Sequence, residues 1–486
     1  MDRSVAQGRL TDPDTTSRPD VHGARSTALA IGLLIALGSW AVYVATATDH
    51  FYNHFVWQAA AFLEGHAAIR YPVLGVGGAP GNEYFQDVLP IVTTDGVPRG
   101  LLPFPPLPAL VLLPFVALWG LATDDQAIFI ILAATDVAIC WWVLGRLAVR
   151  PTIRLGTTLF FAFGTVFWYG AQLSTTWYQA HIVAVGLTFL AIGTALGVDP
   201  RPVSDKIEPI ASRARWRRVG GRLAIDPRQF VAGFLFGLAC TARLTVIFGA
   251  PFFAFVGGDR DWRRRTWSAG LGSALPILAL IAYNLVTTGH VFHPAYDYLY
   301  QLESSGYPSL GYHPDWALED LRYVPQNLGI ALFGLPDILP SALPNSLAID
   351  PEAVCTAPAT VRGLFDLACP LAVPRDTGMS VILTSPAYLL AIGILGRRGR
   401  SRLVGGAVVA VLLIAFVNLM HFSQGWVQFG YRFSNDAAPF ALLLVALGFQ
   451  RLVDRRVWGM ALAVGLIVLS VAINLWGVLW GRLLGW

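Results

Sequence analysis

Charge is what this sequence has least of. Asp, Glu, Lys and Arg make up 13% of its 486 residues, about half of the roughly 25% typical of a soluble domain. Lysine is nearly missing: Lys206 stands alone among 34 basic residues, the rest being Arg. A net charge of +4 is no sign of a nucleic-acid partner, because the Arg residues gather at the ends of apolar blocks and not on one face. Cysteine is scarce too, with four in all. Cys140 and Cys240 lie inside apolar stretches, where Cys packs as a small hydrophobe, whereas Cys355 and Cys369 share a long polar loop. If that loop lies outside the cytoplasm, a disulfide between them is expected. No cleavable signal peptide is expected either. Residues 1–25 are polar, too long and too acidic for an n-region, and no small-residue cleavage site follows the first apolar block. They read as a disordered cytoplasmic tail.

Apolar residues, at 55%, are what the sequence has in excess. They fall into blocks of about 20, the length that crosses roughly 30 Å of hydrocarbon. The class is therefore an all-α polytopic membrane protein, with residues 26–486 as one transmembrane domain. Six basic clusters, Arg3–Arg25, Arg146–Arg154, Arg201–Arg228, Arg260–Arg265, Arg397–Arg402 and Arg451–Arg456, hold 26 of the 34 basic residues. Placing all six in the cytoplasm sets the path. Spans are expected at 26–46, 126–148, 152–171, 180–198, 267–287, 381–395, 403–420, 436–449 and 457–476. The stretch 230–256 has basic loops on both sides, so two short helices meeting near Thr241-Ala242-Arg243 satisfy the charge rule. That makes about 11 crossings. The block 101–120 carries five prolines, which suit a continuous spanning helix poorly, and it is expected to lie in the outer leaflet. Two large outer loops result, 49–125 and 288–380, the second with a surface helix near 323–335.

Titratable and aromatic residues crowd that outer face. Asp49, Glu64, Glu83, Asp87, Asp95, Asp297, Glu303, Glu319 and Asp436 are assigned to it, with His50, His54, His66, His181, His290, His293, His313 and His421. Asp49 follows the first span directly. It suits a helix N-cap and equally a catalytic carboxylate. His50 and His54 share a helical face, but no acidic or Cys ligand completes a zinc signature, so no metal is predicted. Arg243 sits inside an apolar stretch, where a charge marks either a functional site or a buried ion pair with a loop carboxylate. Arg432 reads as a second such cation or as a snorkelling interfacial residue.

The order of motifs resembles the GT-C superfamily of membrane glycosyltransferases, which includes protein O-mannosyltransferases and lipid A aminoarabinose transferases. Asp49 followed by Ala59-Ala60-Ala61-Phe62-Leu63-Glu64-Gly65-His66 is similar to the family's first outer loop. Phe104-Pro105-Pro106-Leu107-Pro108 resembles its Pro-Pro-Leu stretch, with Phe where many members have His. The hairpin around Gly233, Gly237 and Arg243 is also similar, as are Tyr283-Asn284 and Phe429-Gly430-Tyr431-Arg432-Phe433. A second acid beside Asp49, seen in some members, is absent.

The resemblance implies a GT-C-like bundle that moves a sugar from a polyprenyl-phosphate donor to a hydroxyl of a glycan, lipid or protein acceptor on the outer face of the cell membrane. It implies inversion, with Asp49 as the base and Arg243, then Arg432, on the departing phosphate. His54, Tyr178, His181, Asn284, His293 and Tyr296 become candidates for lining the sugar or acceptor pocket. No cofactor is required, and a divalent metal is compatible but not predicted. The rival reading is a transporter or flippase of lipid-linked or small solutes, which needs polar groups near the bilayer midplane; this chain has few, Asp136, Arg243 by position, Asn418 and Asn474. A third is an assembly protein without catalysis of its own.

The basic clusters make a direct prediction. A reporter fused after Gly220 should be cytoplasmic and one fused after Pro351 external; both on one side would show the chain to be mis-threaded from the hairpin onward.

Overall fold

The computed structural model describes residues 21–50, 52–70, 87–91, 96–197, 225–258, 261–306, 310–344, 352–356, 361–395, 401–425 and 427–486. The expected tail up to residue 20, Glu83, Asp95 and much of the basic loop after residue 197 lie outside them.

The described chain is mostly helical, and seven of its helices are long and apolar enough to cross a membrane. In chain order the helices are α1 Val21–Thr46, α2 His54–Leu63, α3 Leu107–Trp119, α4 Asp125–Leu144, α5 Pro151–Phe163, α6 Phe167–Leu173, α7 Thr176–Leu196, α8 Pro227–Cys240 and α9 Phe252–Phe255. They continue with α10 Trp262–Thr288, α11 Ala295–Gly306, α12 Val324–Phe333, α13 Val381–Thr384, α14 Ile392–Leu395, α15 Arg402–Met420, α16 Ser434–Arg455 and α17 Gly459–Leu484. The long ones are α1, α4, α7, α10, α15, α16 and α17.

The remaining expected crossings are made of shorter pieces. The 152–171 stretch is α5 and α6, interrupted at Gly164. The 230–256 stretch breaks after Cys240, as expected, and continues as a 3-10 turn, Leu244–Gly249, and α9. The 381–395 stretch breaks at Ser385-Pro386. Each break falls where Gly, Pro or a side-chain hydroxyl competes with the helical ladder. The proline-rich block forms the 13-residue helix α3, against which α2 packs, and the expected surface helix is α12.

Local chemistry sets the helix starts. The Asp124 carboxylate accepts the Ala127 N–H at the head of α4. Asp226 accepts from Arg228 and Gln229 at α8, with Pro227 in the first position. Asp261 caps α10 and Ser401 caps α15. Helices α7 and α16 form the centre, 78% and 72% buried over their apolar windows, against 17% for α1. The outer surface of α1 exposes Leu29, Leu33, Leu34 and Leu37, a surface suited to lipid. Its register is held from inside by Tyr43, whose hydroxyl donates to the Ala162 carbonyl at 2.9 Å, and by Trp141, whose indole N–H donates to the Ala28 carbonyl at 2.8 Å.

In the first loop β1 (Ile69–Arg70), β2 (Leu89–Ile91) and β3 (Arg99–Leu101) make an antiparallel sheet in the order β1-β3-β2. In the second, β4 (Asp337–Ile338) pairs with β5 (Ala372–Val373), and Cys355 and Cys369 are joined by a disulfide.

Helices α8 and α10 approach most closely through glycine. A Cβ on Gly233 would lie 2.0 Å from the Ala269 carbonyl oxygen, and one on Gly272 2.1 Å from that of Phe230. Without a hydrophobic drive between helices in lipid, such backbone contact supplies the packing. Gly233→Val should therefore destabilise the protein by about 1–3 kcal/mol or more, read as a lower thermal midpoint in detergent. Gly270→Ala, with nothing within 4 Å of its Cβ, should leave that midpoint unchanged or raised.

Candidate functional site

Helix α16 begins with a charge that has no water to face. Asp436, in its first turn, is 1% exposed. An isolated carboxylate there would be prohibitively costly, and three other segments converge to compensate it. Arg243, at the break after α8, donates from Nε to Oδ1 at 3.2 Å and from Nη2 to Oδ2 at 3.0 Å. The Thr245 hydroxyl donates to Oδ2 at 2.7 Å, and the Asn418 amide of α15 donates to the same oxygen at 3.2 Å. His181 of α7 brings Nδ1 to 2.8 Å from Oδ1; the spacing is that of a hydrogen bond, although the nitrogen is not well aimed for one. The bidentate fork is the geometry Arg is built for.

Arg432 lies four residues before Asp436 and is not neutralised in this way. Its Nε is buried without a hydrogen-bond partner. No carboxylate lies within ion-pair distance of it among the described residues. Its guanidinium sits 5.7 Å from the Tyr178 ring and 5.4 Å from the Phe433 ring. Arg243 is also 5.4 Å from Phe433, so the two cations are no further apart than twice that distance. Around Arg432 are two phenols whose rings are 5.6 Å apart: Tyr178, which lies against the guanidinium and has its O–H to donate, and Tyr169, whose hydroxyl is buried without a partner. A cation surrounded by donors in want of an acceptor is a place for an anion.

Two carboxylates flank this centre. Asp87, with φ of 63°, is half-buried and accepts the Trp177 indole N–H at 2.7 Å. Burial pushes its pKa up to about 6, against the pull of that N–H and of Arg432. Glu319 pairs with His421, Oε1 to Nδ1 at 2.8 Å, and the His421 ring stands edge-on to Phe433 at 5.9 Å. Tyr296 of α11 feels both acids. Burial, then Asp87 and Glu319 working against Arg243, push its phenol up to about 12.

Of the residues expected from sequence, Arg243, Arg432, Tyr178, His181 and Tyr296 thus come together. Three others serve the scaffold. His54 is fully buried and holds the Thr176 hydroxyl at 2.9 Å, latching α2 to α7. Asn284 donates to the Val291 carbonyl at 2.9 Å and closes the end of α10. His293 accepts the Ala295 N–H at 3.3 Å at the start of α11, and burial lowers its pKa to about 4. Asp49 is exposed just past the end of α1. Asp436 was expected as one loop acid among many. The rule that singled out Arg243, that a charge inside an apolar stretch needs a partner, applies equally to Asp436 and would have paired the two. Glu319–His421 and Trp177–Asp87 left no sequence signal, because each joins residues about a hundred positions apart. No family model, curated protein or solved structure matches the chain.

The ion pair makes a stability prediction. Asp436→Leu, which strands Arg243, should destabilise the fold by about 3–5 kcal/mol, and the double variant Arg243→Met/Asp436→Leu should recover most of that loss. Unfolding midpoints of the four proteins in detergent give the coupling, and additive losses would contradict it.

Proposed function

We propose that the chain is an inverting membrane glycosyltransferase of GT-C type. It would take a sugar from a polyprenyl-phosphate donor and place it on a hydroxyl of a glycan, lipid or protein acceptor. The observation that carries this reading is the unequal pair of arginines: Arg243 is neutralised by Asp436, while Arg432 keeps its charge amid unpartnered donors. The topology proposed with it has about eleven crossings, a cytoplasmic N-terminus and this site on the outer face of the cell membrane.

The chemistry fits the residue types. As the glycosyl bond stretches, C1 gains oxocarbenium character and the bridging oxygen becomes a phosphate oxyanion. Arg432, with the Tyr178 and Tyr169 hydroxyls, would receive that charge in a site largely shielded from water, where fixed donors act most strongly. Asp436 keeps Arg243 from folding onto the same phosphate and fixes it as a second, oriented cation. Some motif residues of the resemblance are in elements that pack toward this end of the bundle. Ala59 to Leu63 are in α2, Phe104 packs on His54 and Phe55 at 5.8 and 6.0 Å, and Phe429 to Phe433 lead into α16.

The transporter or flippase reading draws on Asp136, a carboxyl buried within α4 whose Oδ2 has no partner. One comparison separates the two. Purified protein in liposomes, given labelled polyprenyl-phosphate sugars and a membrane extract as acceptor, should form labelled product. Arg432→Ala should lower kcat/KM about a hundred- to a thousand-fold, and Arg432→Lys should retain part of the rate because charge survives without the fork. Movement of lipid or solute across sealed vesicles, with no transfer from any donor, would sink the enzyme reading.

A further inference from the structure

The loop 288–380 carries an apolar surface that the proposed transfer does not use. Phe333, at the end of α12, is 75% exposed, and Leu335, Ile338, Leu339, Leu364 and Phe365 are exposed as well. We propose that this surface lies in the bilayer, in the leaflet at the loop end of the bundle, and that lipid is its partner. The proposal rests on α17 crossing the membrane. It goes beyond the glycosyltransferase reading and stands whether or not that reading does.

These side chains belong to one unit. Strand β4, which holds Ile338, pairs with β5. The Leu339 N–H donates to the Leu371 carbonyl at 2.9 Å, and the Leu371 N–H donates to that of Gly363 at 2.8 Å. The disulfide ties Cys369, close to Leu371 in the chain, to Cys355. Leu339 has φ of 50°, a conformation that Leu adopts rarely, so the pairing and not local preference holds it. Polar groups of the unit face inward. Arg375 Nε donates to Asp337 Oδ1 at 2.7 Å, and Arg362 donates to the Pro340 and Pro370 carbonyls, each at 2.9 Å. The large side chains turned outward are apolar, and an exposed patch of that kind marks an interaction surface.

Depth says what the partner is. Helix α17 starts just after Arg455 and Arg456, and Trp458 is its N-cap. Trp480 is 22 positions further on, a rise of about 33 Å. That matches roughly 30 Å of hydrocarbon with a Trp at either boundary. Trp480 is fully buried, because the loop covers it. Its indole N–H donates to the Leu364 carbonyl at 3.2 Å, and the Phe365 ring is 6.3 Å away. Leu364 and Phe365 are therefore at the far boundary of the hydrocarbon. Leu483, three residues after Trp480 and so its neighbour on the helix surface, is exposed, so the loop adjoins a side of α17 left open to lipid.

A second tie sets the depth of α12. The Asn474 amide of α17, about 9 Å of rise short of Trp480, donates to the Thr384 carbonyl at 2.7 Å. Thr384 ends the single turn α13, which Ser380 caps. Ser380 in turn holds the end of α12: its hydroxyl donates to the Leu332 carbonyl at 2.8 Å, and its N–H donates to that of Gly334 at 2.9 Å. Phe333 sits between those two carbonyls. A water-soluble partner does not reach this level, whereas lipid already occupies it.

The test places p-benzoylphenylalanine, a photocrosslinker close to Phe in shape, at Phe333 or Phe365 of the full-length protein. Proteoliposomes contain radiolabelled phosphatidylcholine; in native membranes adducts are identified by mass spectrometry. The same group at Leu33, on the exposed surface of α1, is the positive control, and unchanged thermal midpoints in detergent show that the variants fold. Irradiation should attach lipid at 333 and 365 with yields comparable to that at 33. Because apolar side chains make the contact, replacing part of the phosphatidylcholine by anionic lipid should leave the yields unchanged. Adducts at 33 but at neither phenylalanine would put the surface in water. Crosslinks from 333 and 365 to a protein, a second copy of this chain included, would give it another partner, and adducts that need anionic lipid would make headgroup charge the contact. Each of these would overturn the proposal, and failure at Leu33 as well would overturn the membrane placement on which it rests.

Discussion

One buried carboxylate organises the loop end of this bundle. Asp436 has no water around it, and a charge in that position must be matched or removed. The match comes from Arg243, Thr245, His181 and Asn418, residues of α7, α15 and the break after α8. Those segments are brought together because each contributes part of one solvation shell. The shell in turn orients Arg243 and fixes the start of α16, and therefore the place of Arg432 just before it.

The broken helices follow from the same constraint. An unbroken helix through 230–256 would hold every backbone donor in its own ladder and point its side chains sideways. The interruption at Thr241 to Arg243 turns the chain and delivers Arg243 and Thr245 to Asp436. Helix α8 can afford so short a length because Gly233 and Gly272 let it lie backbone to backbone against α10. In lipid, where no hydrophobic gain drives helices together, that contact compensates for missing turns. A long, glycine-packed support thus carries a short helix whose end delivers Arg243 to Asp436.

Phe433 links the two halves of the site. Both guanidinium groups lie 5.4 Å from its ring, and His181 and His421 approach it at 6.3 and 5.9 Å. An aromatic ring can take cations near its face without neutralising them. That keeps two arginines close together while, among the described residues, only one has a carboxylate within ion-pair distance.

The sequence by itself determined the membrane class, apolar runs of which seven form long helices, and the break before Arg243, and it singled out Arg243 and Arg432 as charges to be accounted for. These depend on short-range facts: the length of an apolar run, the proline and glycine that interrupt it, and the cost of a lone charge within it. Tertiary structure decided what each charge faces. It gave Asp436 to Arg243 and left Arg432 without a carboxylate at ion-pair distance among the described residues. It turned His54, Asn284 and His293 into latches of the scaffold, and it set Glu319 against His421 across a hundred residues. Those outcomes depend on which helix ends meet in space, and pairings between distant segments leave no periodicity or spacing along a single chain.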